Sequence, residues 1–160
     1  MNLNIRNATR NDMPDVLNLI RELAVFEREP DAVEINVNDL IQHGFSDRPM
    51  FSCFVAETDE GIIGMALVYF RFSTWKGKSL HLEDLIVSRD YRGQGVGSAL
   101  YSRVLHYAHE QEVNRVEWVV LDWNEGAIDF YEKSGAKLLK DWYLVQMESE
   151  GLRAFVSNEK

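Results

Sequence analysis

A chain of 160 residues, 46% of them hydrophobic, has enough apolar material to build a core and too much to remain disordered. Its net charge of −9 disfavours nucleic acid as a partner and suits cationic small molecules. Its longest apolar run, Ile62 to Phe70 with Gly64 inside it, is far too short to span a membrane. Met1-Asn2-Leu3-Asn4 opens no signal peptide, and the single cysteine, Cys53, cannot form an intramolecular disulfide and reads as a small buried hydrophobe. The expectation is a soluble, cytoplasmic protein with no membrane and no nucleic-acid partner. No repeat, low-complexity tract or linker interrupts residues 1–160, which read as a single domain.

In chain order, a short strand is predicted at Ile5. Thr9 and Asp12 then form a capping-box pair for a helix with Met13, Val16, Leu17, Ile20, Leu23 and Ala24 on one face. Asn36 or Asn38 caps a second short helix through Leu40 and Ile41, stopped at Gly44. Strands at Phe51 to Glu57 and Ile62 to Phe72 flank the turn Thr58-Asp59-Glu60-Gly61, an antiparallel hairpin signature. Ser79 to Val87 extends it to a meander across Lys76-Gly77-Lys78. Val96, Leu100, Val104 and Ala108 recur at helical spacing, Val116 to Leu121 reads as a strand, and Asn124 caps a helix through Ala127, Phe130 and Tyr131 that ends at Gly135. Trp142 to Met147 is the next strand expected, with another at Leu152 to Val156. The order β-α-α-β-β-β-α-β-α-β gives an α/β sandwich with a central mixed, mostly antiparallel sheet flanked by helices.

The segment from Leu82 to Leu105 points to chemistry. An apolar strand runs into Arg92-Gly93-Gln94-Gly95-Val96-Gly97 and then a helix. Glycines free the backbone for unusual dihedrals and close ligand approach, and amide groups opening the helix can bind an anion with help from its dipole. A P-loop needs Lys-Ser/Thr after its last glycine, whereas Gly97 is followed by Ser98-Ala99. A dinucleotide fingerprint needs Gly or Ala where Ser98 stands. Arg92-x-x-Gly95-x-Gly97 after a strand and before a helix instead resembles the acetyl-CoA pyrophosphate loop of the GNAT N-acetyltransferases, and the element order is similar to that fold over the whole chain. Arg21-Glu22-Leu23-Ala24, Leu82-Glu83-Asp84, Asp90-Tyr91-Arg92-Gly93, Trp123-Asn124 and Phe130-Tyr131 resemble the spermidine/spermine (diamine) acetyltransferase branch. Ser73-Thr74-Trp75-Lys76-Gly77 and Leu121-Asp122-Trp123-Asn124 look more like its thialysine N-epsilon-acetyltransferase members.

The resemblance implies acetyl-CoA as co-substrate, no metal, and a primary amine of a small cationic molecule as acceptor, attacked directly in a ternary complex. It places the cofactor on Leu85, Ile86, Val87, Arg92, Gly93, Gln94, Gly95, Val96, Gly97, Ser98, Asn124, Glu125, Gly126, Ala127 and Tyr131. It places the acceptor near Glu27, Trp75, Glu83, Glu117, Trp118 and Val119. An alkylamine is protonated at neutral pH, so a carboxylate must take its proton, and Glu83 is the expected base. Strict alternation would put Glu83, Leu85 and Val87 on one face and Asp84 with Leu82 and Ile86 on the other. The plainer alternative is a strand carboxylate paired with Lys78. Tyr131 matches the family's proton donor to the departing thiolate, although Phe130-Tyr131 on spacing alone reads as core packing. Asn124 is equally explained as an N-cap, and Glu27, Glu29 and Asp31 as a solvated acidic loop.

Where polyamine enzymes carry an acidic residue just before Trp75 this chain has Thr74, and the segment between Gly135 and Trp142 is shorter than theirs. Both suit a lysine analogue or short diamine over a long polyamine. His106 and His109 lack the further ligands of a metal site, and His81 lies two residues before Glu83. Family members form dimers through their C-terminal strands, so a homodimer is expected. Two rivals stay open: acetylation of protein or peptide N-termini, and a non-catalytic acyl-CoA-binding regulator.

Overall fold

The computed structural model describes residues 2–158. Its first compact unit ends at Val119. Strands β1 (Asn4–Asn7), β2 (Ser52–Thr58), β3 (Gly61–Ser73), β4 (Gly77–Val87) and β5 (Arg115–Glu117) form one sheet in the order β1-β2-β3-β4-β5, antiparallel up to β4 and parallel between β4 and β5. The expected hairpin and meander are therefore present, and the sheet is mixed and mostly antiparallel.

Side-chain parity divides the two faces. Cys53, Val55, Met65, Leu67 and Ile86 pack in one cluster with Met13, Val16, Leu17 and Leu19 of α1 (Met13–Phe26) and Leu40 of α2 (Val37–Gly44). On the other face Phe54 meets Tyr107 of α3 (Val96–Glu110) with ring centroids 5.2 Å apart. A Cβ on Gly64 would lie 3.1 Å from Leu100 Cδ1 and 2.9 Å from the Ile86 carbonyl, so a glycine there lets α3 approach the sheet closely. Asn36, not Asn38, caps α2: its side chain accepts from the amides of Asn38 and Asp39, while Asp39 accepts from the Asn36 amide.

The second unit begins at Val120 and holds α4 (Glu125–Lys133) and α5 (Ser149–Ser157). Asn124 caps α4, its side chain accepting from the Ala127 amide at 3.3 Å. Two strand expectations are corrected here. Trp142 to Met147 has no ladder partner among the described residues, and Leu152 to Val156 lies within helix α5. Leu152, Phe155 and Val156 recur at helical spacing, and a helix satisfies its own backbone groups where a strand would need a neighbour. The strand expected at Val116 to Leu121 is also shorter, because its ladder ends at Glu117.

Candidate active site

β4 carries a bulge that the alternation of its sequence does not show. Val68 pairs with Leu82 and Leu67 with Asp84, so Glu83 is the extra residue. Up to the bulge, Ser79 and His81 face α1 and α2; after it, Asp84 and Ile86 do. The bulge therefore corrects the expected separation of the two acids. Glu83 Oε2 accepts from the Tyr69 hydroxyl at 2.9 Å and lies 3.4 Å from His81 Nε2, so its carboxylate sits over the same face as Asp84. Lys78 pairs with neither acid: its Nζ donates to the Gln111 carbonyl at 2.7 Å and lies over the Phe70 ring.

The surroundings push the two acids in opposite directions. The hydrogen bond from His81, helped by that from Tyr69, holds Glu83 below the usual carboxylate range. Burial pushes Asp84 up to about 6, and the charges of Glu83 and Glu27 add to the shift. Glu27, at the end of α1, is itself raised by lost hydration. Burial and the Glu83 contact push the Tyr69 phenol up to about 12, so it remains a donor to Glu83 at neutral pH.

His81 is 8% exposed and stacks at a tilt on Tyr69, centroids 5.0 Å apart. Its Nδ1 lies 3.2 Å from Arg71 Nη1. A guanidinium only donates, so Nδ1 supplies the lone pair and Nε2 carries the hydrogen toward Glu83. Arg71 pairs in turn with Glu117 at 2.8 Å. Glu117 also lies 3.0 Å from Arg115 Nε, an atom that is buried without a hydrogen-bond partner. Alternation along β3, β4 and β5 places Tyr69, Arg71, His81, Arg115 and Glu117 on one face. Asp84, Tyr69 and Arg71 were not selected from sequence. An acidic pair inside an otherwise apolar strand was the one available signal for Asp84.

β5 pairs β4 only from Ser79/Arg115 to His81/Glu117. Beyond His81, the β5-side edge of β4 has no strand beside it among the described residues of this unit, leaving backbone groups of Leu82 to Val87 free of a ladder there. This edge leads into the glycine loop. Gly93 and Gly95 have φ of +73° and +83°, and Gly95 is the N-cap of α3. A Cβ at either would meet nothing within 4 Å, so the loop is open above these glycines. Val96 is buried at the start of α3, Gly97 packs near Val87, and Ser98 is exposed in the first turn, where helix amides lack carbonyl partners. Arg92 secures the loop: its Nε donates to the Val87 carbonyl at 2.9 Å, its Nη2 lies 3.3 Å from Glu22, and its guanidinium covers the Phe26 ring. Gln94 donates to the Asp90 carbonyl. The free amides, positive-φ glycines and open space fit a diphosphate.

Other expected residues are more scattered. Trp118 is half-buried against Tyr101, with centroids 5.8 Å apart, and Val119 is 61% exposed. Trp75 is 79% exposed in the β3–β4 turn, about 20 Å along the strand from Glu83, and is not brought to the carboxylates within this unit. In the second unit, Asn124, Glu125, Gly126 and Ala127 make the cap and first turn of α4. Tyr131 is half-buried one turn further on, its ring 5.4 Å from Phe130.

The Acetyltransferase (GNAT) family matches residues 13–136, most of the chain and both units. The chain belongs to the GNAT acetyltransferases. It is 38% identical to a Bos taurus thialysine N-epsilon-acetyltransferase, with 93% of this chain and 94% of that protein covered. It is 35% identical to Homo sapiens spermidine/spermine N(1)-acetyltransferase-like protein 1 over 92% of this chain and 23% of that longer protein. Among solved structures, a V. cholerae integron cassette protein superposes with a TM-score of 0.79 at 23% identity, covering 98% of both chains. An aminoglycoside acetyltransferase from a soil metagenome reaches 0.75 at 20% identity, covering 91% of this chain and 97% of that one. These two likenesses support the fold. Together with the family match, the curated relatives make this GNAT protein an acetyltransferase.

Proposed function

We propose that this acetyltransferase uses acetyl-CoA to acetylate the primary amine of a small cationic molecule, of the lysine-analogue or short-diamine kind, by direct attack in a ternary complex. The observation that carries the proposal is the bulge at Glu83. It gathers two carboxylates of divergent proton affinity on one face, beside the edge where β4 and β5 part. The relatives named for thialysine and spermidine/spermine support an amine acceptor. Because the family match crosses from Val119 into Val120, the two units are taken to act as a single domain.

Acetyl-CoA, when bound, supplies the acetyl group as a thioester. Amides of Gly93 to Ser98 and the first turn of α4, Asn124 to Ala127, hold its anionic and pantetheine parts, while free backbone N–H groups of Leu85 to Val87 stabilise the oxyanion that forms during transfer. Glu83 anchors the substrate ammonium and takes its proton, Asp84 and Glu27 add negative potential, and Tyr131 gives a proton to the leaving sulfur as the new C–N bond replaces C–S. Trp118 and Val119 border the acceptor. The protein is taken to be cytoplasmic and to act as a homodimer.

Acetyl-CoA consumption measured against a panel of primary amines and peptide N-termini tests the reading. Amines should be acetylated and peptides spared. Tyr131→Phe should lower turnover by about 10²-fold with an unchanged melting temperature. Preferential peptide acetylation would establish the N-terminal reading instead, and acetyl-CoA binding without turnover on any acceptor would make the protein a sensor. Preserved turnover in Tyr131→Phe would return Tyr131 to a packing role.

A further inference from the structure

His81 is a buried titratable group beside the site that the proposed chemistry leaves unused. Its neighbour Glu83 needs an anchor. As the bulged residue of β4, Glu83 has no cross-strand partner, and 49% of its side chain is exposed, so the ladder does not fix its carboxylate. Two side chains meet it instead, both at one oxygen. The Tyr69 hydroxyl donates to Oε2 at 2.9 Å, and His81 Nε2 lies 3.4 Å from the same atom, while Oε1 has no partner among the described residues. His81 is itself held on two sides. Its ring stacks at a tilt on Tyr69, and Arg71 Nη1, which also pairs with Glu117 at 2.8 Å, stands 3.2 Å from Nδ1. With the Nδ1 lone pair engaged by a guanidinium, the N–H at Nε2 is left for Glu83.

We infer that His81, held by Arg71, is a positioning residue: with Tyr69 it clamps Oε2 of Glu83 and so reserves Oε1 for the acceptor's ammonium. The inference rests on Glu83 being the base of the proposed amine N-acetyltransferase reaction. In that step Oε1 takes a proton from nitrogen, and nitrogen keeps the electron pair that forms the C–N bond. The carboxylate must present the same oxygen at every turnover. A glutamate free to rotate loses that alignment, and misplacing a reacting group by about 1 Å costs on the order of 10²-fold. The clamp also acts on proton affinity. The contact from His81 is the largest influence holding Glu83 below the usual carboxylate range, against burial, which pushes it up. The other titratable or charged groups around it are Tyr69 and Arg71 of β3, Asp84 of β4 and Glu27 at the end of α1.

A double-mutant cycle between His81 and Glu83, read as rates of cadaverine acetylation by acetyl-CoA, makes the test. His81→Phe keeps a ring against Tyr69 and removes both nitrogens. It should lower kcat about ten- to a hundredfold, the loss expected for a hydrogen bond to a charged group, with the KM for acetyl-CoA unchanged. The acidic limb of its pH profile should move upward, because burial is then opposed by Tyr69 alone. His81→Gln, whose amide nitrogen takes the place of Nε2, should recover part of the rate. In the Glu83→Gln background His81→Phe should cost little further. Tyr69→Phe removes only the second donor and gives a check that does not depend on His81→Phe folding; it too should lower kcat and lose its effect in Glu83→Gln. Effects of His81→Phe and Glu83→Gln that simply add, or a full rate in Tyr69→Phe, would overturn the clamp while leaving Glu83 as base. A full rate in Glu83→Gln would overturn the base reading and this inference together.

Discussion

Two groups of acidic residues on the same sheet behave in opposite ways. At the β1–β2 end, Arg6 grips Asp12 through Nη1 and Nη2 at 2.7 and 3.0 Å and Glu57 through Nε and Nη2 at 2.8 Å each. The Thr9 amide and hydroxyl complete the coordination of Asp12. Asp12 is 8% exposed, and Arg6 holds it well below the usual carboxylate range. Around the β4 bulge, no salt bridge to an arginine or lysine joins Glu27, Glu83 or Asp84 among the described residues. Burial raises Asp84 to about 6, and Glu83 is held by a histidine and a phenol. Buried acids with matched cations stabilise a fold, whereas acids gathered without one create a local negative potential that only a cation from outside can satisfy.

The largest expected effect that would break this division is at Glu83. Glu83→Gln keeps shape but removes the proposed base, so kcat/KM should drop about 10³-fold at neutral pH, within the range for a positioned acid–base group, with little change in melting temperature. Rates measured up to about pH 10, where the free amine is supplied by solution, should show the variant recovering relative to wild type. Parallel pH profiles would remove Glu83 as base, and a large loss of stability would move it into the structural group.

Arg6→Gln is the complementary perturbation. Removing the cation leaves Asp12 buried and unpaired, so unfolding free energy should fall by about 3 kcal/mol while kcat hardly changes, as chemical denaturation alongside rate assays would show. A loss of activity without a loss of stability would connect this cluster to catalysis.

The smallest effect concerns pH-dependent stability. Asp84 has a folded-state value raised from 3.8 to about 6, so the folded protein binds its proton more tightly, and stability declines as pH rises through that window. Asp12 is lowered instead, so the stability from its pairing is present above its ordinary value of 3.8 and lost as pH falls below it. Asp84→Asn should therefore gain on the order of 2 kcal/mol over wild type at pH 7 and show a flatter stability curve between pH 4 and 6. Denaturation midpoints across that range check this. If Asp84→Asn also abolishes the acidic limb of the rate profile while Glu83→Gln leaves it in place, Asp84 is the base.

Legibility in the sequence followed the range of the interactions involved. Thr9 with Asp12, a cap at Asn36 or Asn38 and Asn124 before α4 were readable because a cap is decided within four residues, while the choice of Asn36 came from the structure. The glycine loop was readable because positive φ at Gly93 and Gly95 is a local demand on backbone sterics, and the meander because its turn residues and alternating apolar runs are local too. The bulge at Glu83 was not, since it exists only as a mismatch of register between β3 and β4, and moving one residue out of register transfers every later side chain to the other face. The union of Glu83 with Asp84, the tautomer of His81 set by Arg71, and the sharing of Glu117 by two arginines all depend on which strands lie side by side. The sequence by itself determined the caps, the β2–β3–β4 meander and the glycine turn before α3, because those follow from backbone preferences over a few residues, whereas the C-terminal segments expected as strands carry no ladder among the described residues. Only the tertiary structure decided which acids are neutralised and which stay open, because charge pairing in a folded chain is set by distances between segments far apart in sequence.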